Sequence, residues 1–577
     1  MKSLLPILTA LLLLPNFCSS AASSAADQDF EALARLYTDE FLDRHPEHAT
    51  SLGDHRFDDR LDDYSLAGKT RELSIARSYL AKLGKIDPAR LTPQNRTDHG
   101  IFKDSLESTV LELESIRSYA WNPMNYNAAN AIYHLVSREY APLSQRLRSV
   151  KGRLQAITNI TENARLNLQN PPRLHTETAI QQNKGSIHLI KDELSQFIAQ
   201  APEVRAELAP VQAAAVKALE DFGQWLEKDL LPRSNGDFRY GDEKFRARLR
   251  YSLGSTLSKE QVLQNAEAEL TKTENDIYAT AWPLYRRFFP GQSSTEPADS
   301  SGRKKIVKAV LDKLAEKHPT DQTIVDQARR DLVECTKFVA EHKIVSIPRE
   351  PLEIIVMPEF KRGVAVAYCD APGALAKNEA TFFAISPTPA DWSTQRKDSF
   401  YREYNDYMLK NLTVHEAMPG HYLQLIQGNR FQAPTKIRAL FHSGIFAEGW
   451  ATYTEQVMAE AGFGGPEVKM QQLKMRLRLI INAIIDQKIH TAGMTEKEAM
   501  DLMMNEGFQE EGEAAGKWKR ACLTATQLST YFVGNVEVNA LVTNFKKRHP
   551  GVSALEMHDK ILSFGTIAPK HLAPLLE

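Results

Sequence analysis

Apolar residues recur three and four apart over 29–44, 69–84, 98–117, 143–168, 177–200 and 205–230, and again over 258–288, 303–317 and 321–341. That spacing lines one face of an α-helix with apolar side chains, and nothing else in the chain restricts its fold as strongly. Prolines punctuate the pattern at Pro46, Pro88, Pro93, Pro123, Pro171, Pro172 and Pro202, where a helix loses a donor and stops. The expected fold is therefore mainly α. The texture changes once, near residues 350–386. Leu352–Met357 and Gly363–Tyr368 are short and β-branched, and Ala380–Ser386 is strand-like too, so a small sheet is expected there. Ala380–Ser386 is read as an edge strand able to pair with an extended peptide. Helical periodicity resumes from about 397, and the Ser/Gly/Pro-rich 290–302 stretch is either a surface loop or a hinge.

Composition narrows the class. Across 577 residues, 42% are hydrophobic and 25% charged, which suits a globular protein with a large core. Lys+Arg number 71 against Asp+Glu 73, a net charge of -2, so bulk charge offers no reason to expect nucleic acid or an anionic membrane as partner. Lys2, the apolar run Leu4–Leu14 and the small residues Ser19–Ser23 form a secretory signal, with cleavage expected after Ala22. Bulky Phe17 before Cys18 disfavours lipoprotein processing. The mature protein is then exported, periplasmic or secreted, and free of a membrane span. Cys335, Cys369 and Cys522 remain, enough for one internal disulfide at most.

The chemistry concentrates in Val414-His415-Glu416-Ala417-Met418-Pro419-Gly420-His421-Tyr422. Two histidines with a carboxylate beside one of them suggest a zinc site in which both imidazoles bind metal and Glu416 acts on a water. The spacing is six rather than four. On a regular helix it leaves the two rings about 120° apart around the axis and about 9 Å apart along it. Pro419 and Gly420 offer the remedy, a bulge that brings His421 back beside His415. Downstream, Phe446-Ala447-Glu448-Gly449-Trp450-Ala451-Thr452-Tyr453-Thr454-Glu455 opens another helix, whose Glu448 would complete a His₂Glu site. Glu455, seven residues on and on the same face, either orients a ligand histidine or is a solvated helix glutamate.

These two segments, with Asp486-Gln487-Lys488-Ile489-His490 and Gln527-Leu528-Ser529-Thr530-Tyr531-Phe532-Val533-Gly534, resemble the bacterial family called domain of unknown function 885. The resemblance runs from about residue 30 to the end. Tyr422 and Lys488 depart from its usual pattern, and neither is a proposed ligand. The resemblance implies a gluzincin-like zinc peptidase, similar in outline to carboxypeptidase Taq and the peptidyl dipeptidases. Its helical fold would surround a deep cleft, with zinc on His415, His421 and Glu448. It further implies a division after the signal (1–22) into an N-terminal helical region forming cleft walls (23–345) and a zinc-binding catalytic region (346–577), either as two domains or as one continuous domain.

Four further residues have candidate jobs. Tyr531 and His490 can donate hydrogen bonds to a developing oxyanion, with Asp486 one turn before His490 to orient it; either can instead be a packed core residue. Arg520 can hold a substrate carboxylate through its planar fork, or sit on the surface. The expected function is an exported zinc-dependent hydrolase cleaving short peptides by metal-activated water, with Glu416 as general base. The alternatives are an inactive helical binding protein and a metallohydrolase of a non-peptide amide or ester.

Overall fold

A computed structural model describes residues 24–292, 295–297, 299–357, 366–376, 379–389 and 392–577. The signal segment and Gly363–Ala365 of the expected second strand lie outside these residues. The periodic segments do form helices, among them Ala25–Arg44, Leu66–Leu83, Leu143–Asn167, Lys259–Phe288 and Ile324–Glu341. Their starts are chemically marked. Ser24 and Asp27, and likewise Ser258 and Gln261, cap each other's backbone N–H groups, satisfying donors that the first turn leaves free. No helix among the described residues is long and apolar enough to cross a membrane.

The small sheet comprises β1 (Leu352–Val356), β2 (Ala367–Asp370) and β3 (Thr381–Ile385). Its order is β1-β3-β2: β1 runs parallel to β3, and β2 antiparallel, with Cys369 opposite Phe383. This corrects the edge-strand expectation for Ala380–Ser386. With Phe383, Ala384 and Ile385 wholly buried, β3 takes the centre, where both ladders and the core cover it, and β2 is left as the strand bordering the site.

One continuous hydrophobic cluster ties the early helices to the late ones: Phe30, Phe102 and Val339 pack in the same core as Phe446, Trp450 and Leu572. Around Trp450 the Gly444–Glu460 helix crosses the Ser529–Arg548 helix at unusually close range. A Cβ on Gly449 would lie 2.4 Å from the Gly534 carbonyl oxygen, so this crossing requires glycine. The contact sets where Glu448 and Tyr531, carried by these two helices, stand relative to each other.

Candidate metal centre

The Asp406–Glu416 helix is started by Asn405, whose side-chain oxygen accepts from the Tyr407 and Met408 N–H groups, each at 3.2 Å. It ends at Glu416. The Thr413 carbonyl takes the N–H groups of both Ala417 (3.0 Å) and Met418 (3.2 Å), and the Val414 carbonyl takes that of Gly420 (2.9 Å), six residues on. A new helix then begins at His421 and runs to Asn429. The sequence suggested a bulge within one helix; the structure has a complete break. The break is tight. A Cβ on Gly420 would sit 1.8 Å from the His415 carbonyl oxygen. Trp450, fully buried, donates its Nε1–H to the Pro419 carbonyl at 2.9 Å and clamps the loop to the Gly444–Glu460 helix.

This break brings the rings together, with His415 and His421 centroids 4.7 Å apart and their planes nearly perpendicular. Oε2 of Glu448 lies 3.5 Å from Nε2 of each histidine. One ligand atom from each of the three residues falls within 4.8 Å of the others, a cluster able to hold a metal ion. The fit has an independent mark: that same Oε2 is buried with no hydrogen-bond partner. An ionised oxygen left so between two imidazole nitrogens is expensive unless a cation shares it. Burial opposes charge on Glu448, but the two histidines outweigh it and hold its carboxyl far below the ordinary range.

The supporting groups are equally specific. Glu455 is buried, and its Oε1 takes the Nδ1–H of His415 at 2.7 Å, which turns Nε2 toward Glu448. Its other oxygen accepts from Asn411 Nδ2 at 2.7 Å. The solvated reading of Glu455 is therefore replaced. Asn411 went unnoticed in the sequence, although it sits one turn before His415. Glu416, buried beside the cluster, accepts the Cys369 N–H of β2 on Oε2 at 3.0 Å. No periodicity signals that bond, because it comes from backbone.

Of the downstream candidates, Tyr531 and Arg520 meet each other. Arg520 Nη2 donates to the Tyr531 hydroxyl oxygen (3.1 Å) and to Gln527 Oε1 (2.9 Å). Burial first, and then the Glu448 charge, push the Tyr531 phenol up, so it keeps its proton as a donor. His490 is not brought to this cluster. Its Nε2 is hydrogen-bonded to the carbonyls of Ala521 and Thr524, both at 2.9 Å, and its ring packs among Phe238, Tyr240 and Phe245. Asp486 does not orient it either; its oxygens receive the N–H groups of Thr526 and Ser529, each at 3.0 Å. His490 thus ties the Gly465–Ala492 helix to the end of the Glu511–Leu523 helix, a structural job. Of the two residues that depart from the family pattern, Lys488 pairs with Glu267 at 2.9 Å and the Tyr422 hydroxyl donates to the Glu350 carbonyl.

A family model described as a bacterial protein of unknown function (DUF885) matches residues 46–576. The chain belongs to this family. A solved structure from Shewanella oneidensis, described as a candidate lipoprotein of unknown function, is 30% identical, covers 96% of this chain and 100% of its own, and superposes with a TM-score of 0.78. A candidate lipoprotein from Colwellia psychrerythraea shares the fold at 16% identity and a TM-score of 0.77, covering 96% of this chain and 98% of its own. An M32 carboxypeptidase from Deinococcus radiodurans R1 aligns over 87% of this chain and 90% of its own, at 12% identity and a TM-score of only 0.29. No curated protein matches this chain.

Proposed function

We propose that this DUF885 member is an exported zinc-dependent hydrolase, a metallopeptidase acting on short peptides. The observation that carries the reading is the buried, unpartnered Oε2 of Glu448, 3.5 Å from both Nε2 atoms, with Glu416 next in sequence to His415. Imidazole and carboxylate donors in this set suit zinc, with a fourth position for solvent or substrate. Bound there, zinc supplies the Lewis acidity that lets water attack near neutral pH. The chain does the rest. Glu416, held by the Cys369 N–H, takes the proton of the attacking water and passes it to the leaving amine. Tyr531, kept protonated and braced by Arg520, donates to the oxygen on which negative charge develops. The Leu4–Leu14 run followed by small residues supports export, as does the lipoprotein description of the two related structures.

The test takes purified protein through metal analysis and then through a mixed peptide library, with new termini identified by mass spectrometry. About one zinc per chain and chelator-sensitive cleavage are expected. Zinc-loaded, folded protein that turns over no peptide, amide or ester would instead support a binding protein.

A further inference from the structure

Where the Glu511–Leu523 helix packs on the Gly465–Ala492 and Thr394–Glu403 helices, four buried or partly buried cations gather with two carboxylates. Glu403 pairs with Lys474 at 2.8 Å and with Arg478. Glu513 lies 3.6 Å from Arg478 and 3.7 Å from Lys517. Arg520 pairs with no carboxylate among the described residues; Gln527 and Tyr531, both neutral, receive its Nη2. Four positive charges less two negative leave an excess of two. Lys474 and Arg478 are each 7% exposed and Lys517 10%, so solvent does little to screen the excess. Lys517 registers it: burial, with Arg478 and Arg520 repelling from nearby, pulls its ammonium down to about 8 despite Glu513.

Uncompensated buried charge is costly, and a ligand of opposite charge offsets it. Glu513, Lys517 and Arg520 follow at successive turns of the Glu511–Leu523 helix and share one face. The end of that row is Arg520, at the Tyr531 hydroxyl, and Tyr531 stands in the field of Glu448 and His415. We infer that Lys517 and Arg520 form an anion subsite that takes a substrate carboxylate one or two residues from the scissile bond. The planar guanidinium fork and a neighbouring ammonium suit a carboxylate. The reach is short. Arg520 to the Tyr531 oxygen is 3.1 Å, one more O–H···O bond adds about 2.7 Å, and a peptide advances about 3.8 Å per residue. The carboxylate is either the free carboxy terminus or an acidic side chain.

This inference rests on the peptidase reading, so its test separates the two. Zinc-loaded wild-type and Lys517→Met protein are given one peptide in three forms: free carboxy terminus, carboxy-terminal amide, and amide with Glu as the last residue. Whichever form supplies the carboxylate, the free acid or the Glu-terminated amide, is expected to have kcat/KM about 10–100-fold above the plain amide, as loss of a charge-assisted pair implies. In Lys517→Met and Arg520→Met that ratio should fall toward one. An advantage confined to the Glu-terminated amide identifies the side chain as the source; one confined to the free acid identifies the terminal carboxylate. Equal rates on all three forms would overturn the subsite while leaving the peptidase reading intact. If no peptide is cleaved, calorimetric titration with N-acetyl-leucine against N-acetyl-leucinamide decides alone. Binding of the acid only, lost in Lys517→Met, supports the subsite; equal binding overturns it. Lys517→Met removes surplus positive charge, so its Tm should not fall. A lower Tm with the preference intact would mark Lys517 as a structural partner of Glu513 and defeat the inference.

Discussion

Glu416 and Glu455 both lie close to His415, and what their oxygens face separates their jobs. Glu416 receives a backbone N–H from β2, a bond that a glutamine oxygen can also accept. Glu416→Gln should therefore keep fold and zinc while kcat drops about 10²–10⁴-fold, measured as turnover per bound metal. Near-normal turnover on a proven substrate would refute its role as base. Glu455 instead takes the proton on His415 Nδ1, and Glu455→Gln sets an amide against that ring. The expected loss is 10–100-fold in zinc affinity, read by competition with a chelating dye. At this scale the histidines, Glu416 and Glu448 were legible because metal chemistry demands those side chains close together. His490 was not. An Asp and a His four apart look like an orienting pair, but the backbone N–H groups of Thr526 and Ser529 claim Asp486. Lys517 was not legible either, since its significance is a charge balance that only packing creates.

The broken helix between Glu416 and His421 is the element on which the site depends, and Gly420 is its tightest point. Any side chain there meets the His415 carbonyl at 1.8 Å and the Val414 carbonyl at 2.4 Å, and both are backbone. Gly420→Ala should cost about 3 kcal/mol or more in urea unfolding, and the folded fraction should bind zinc weakly because the two rings move apart. A variant that keeps stability and metal would mean the loop can relax, contrary to its clamping by Trp450. Helix existence was legible throughout from periodicity, because a helix buries one stripe whatever it packs against. Strand order was not. The β-branched character of Ala380–Ser386 announced a strand, but whether it lies at the edge or the centre depends on partners far away in sequence.

For the whole molecule, buried titratable groups shape stability against pH. His175 and His558 are held neutral, both pulled from 6.5 down to about 4 by burial. Their unfolded forms take protons first, so stability present above pH 6.5 is lost as pH falls through 4. His45 and His55 go the other way. Burial opposes their charge, but Asp62 and Glu72 around His45, and Asp58 and Glu379 around His55, raise each to about 9. Their contribution is complete below 6.5 and is lost as pH rises through 9. Asp331 adds to the alkaline loss. It is wholly buried on the Ile324–Glu341 helix, which packs on the His415 helix, and its Oδ2 has no hydrogen-bond partner. Burial outweighs Lys410 at 3.6 Å and raises its carboxyl from 3.8 to about 7. The protonated form is the one the fold prefers, so its stabilising contribution is full below 3.8 and gone above 7. Asp331→Asn keeps the shape and abolishes the titration. Its Tm should exceed that of the wild type at pH 8, and the difference should vanish near pH 4, where the wild-type carboxyl is protonated as well. Equal Tm values at pH 8 would mean that Lys410 fully compensates the buried carboxylate.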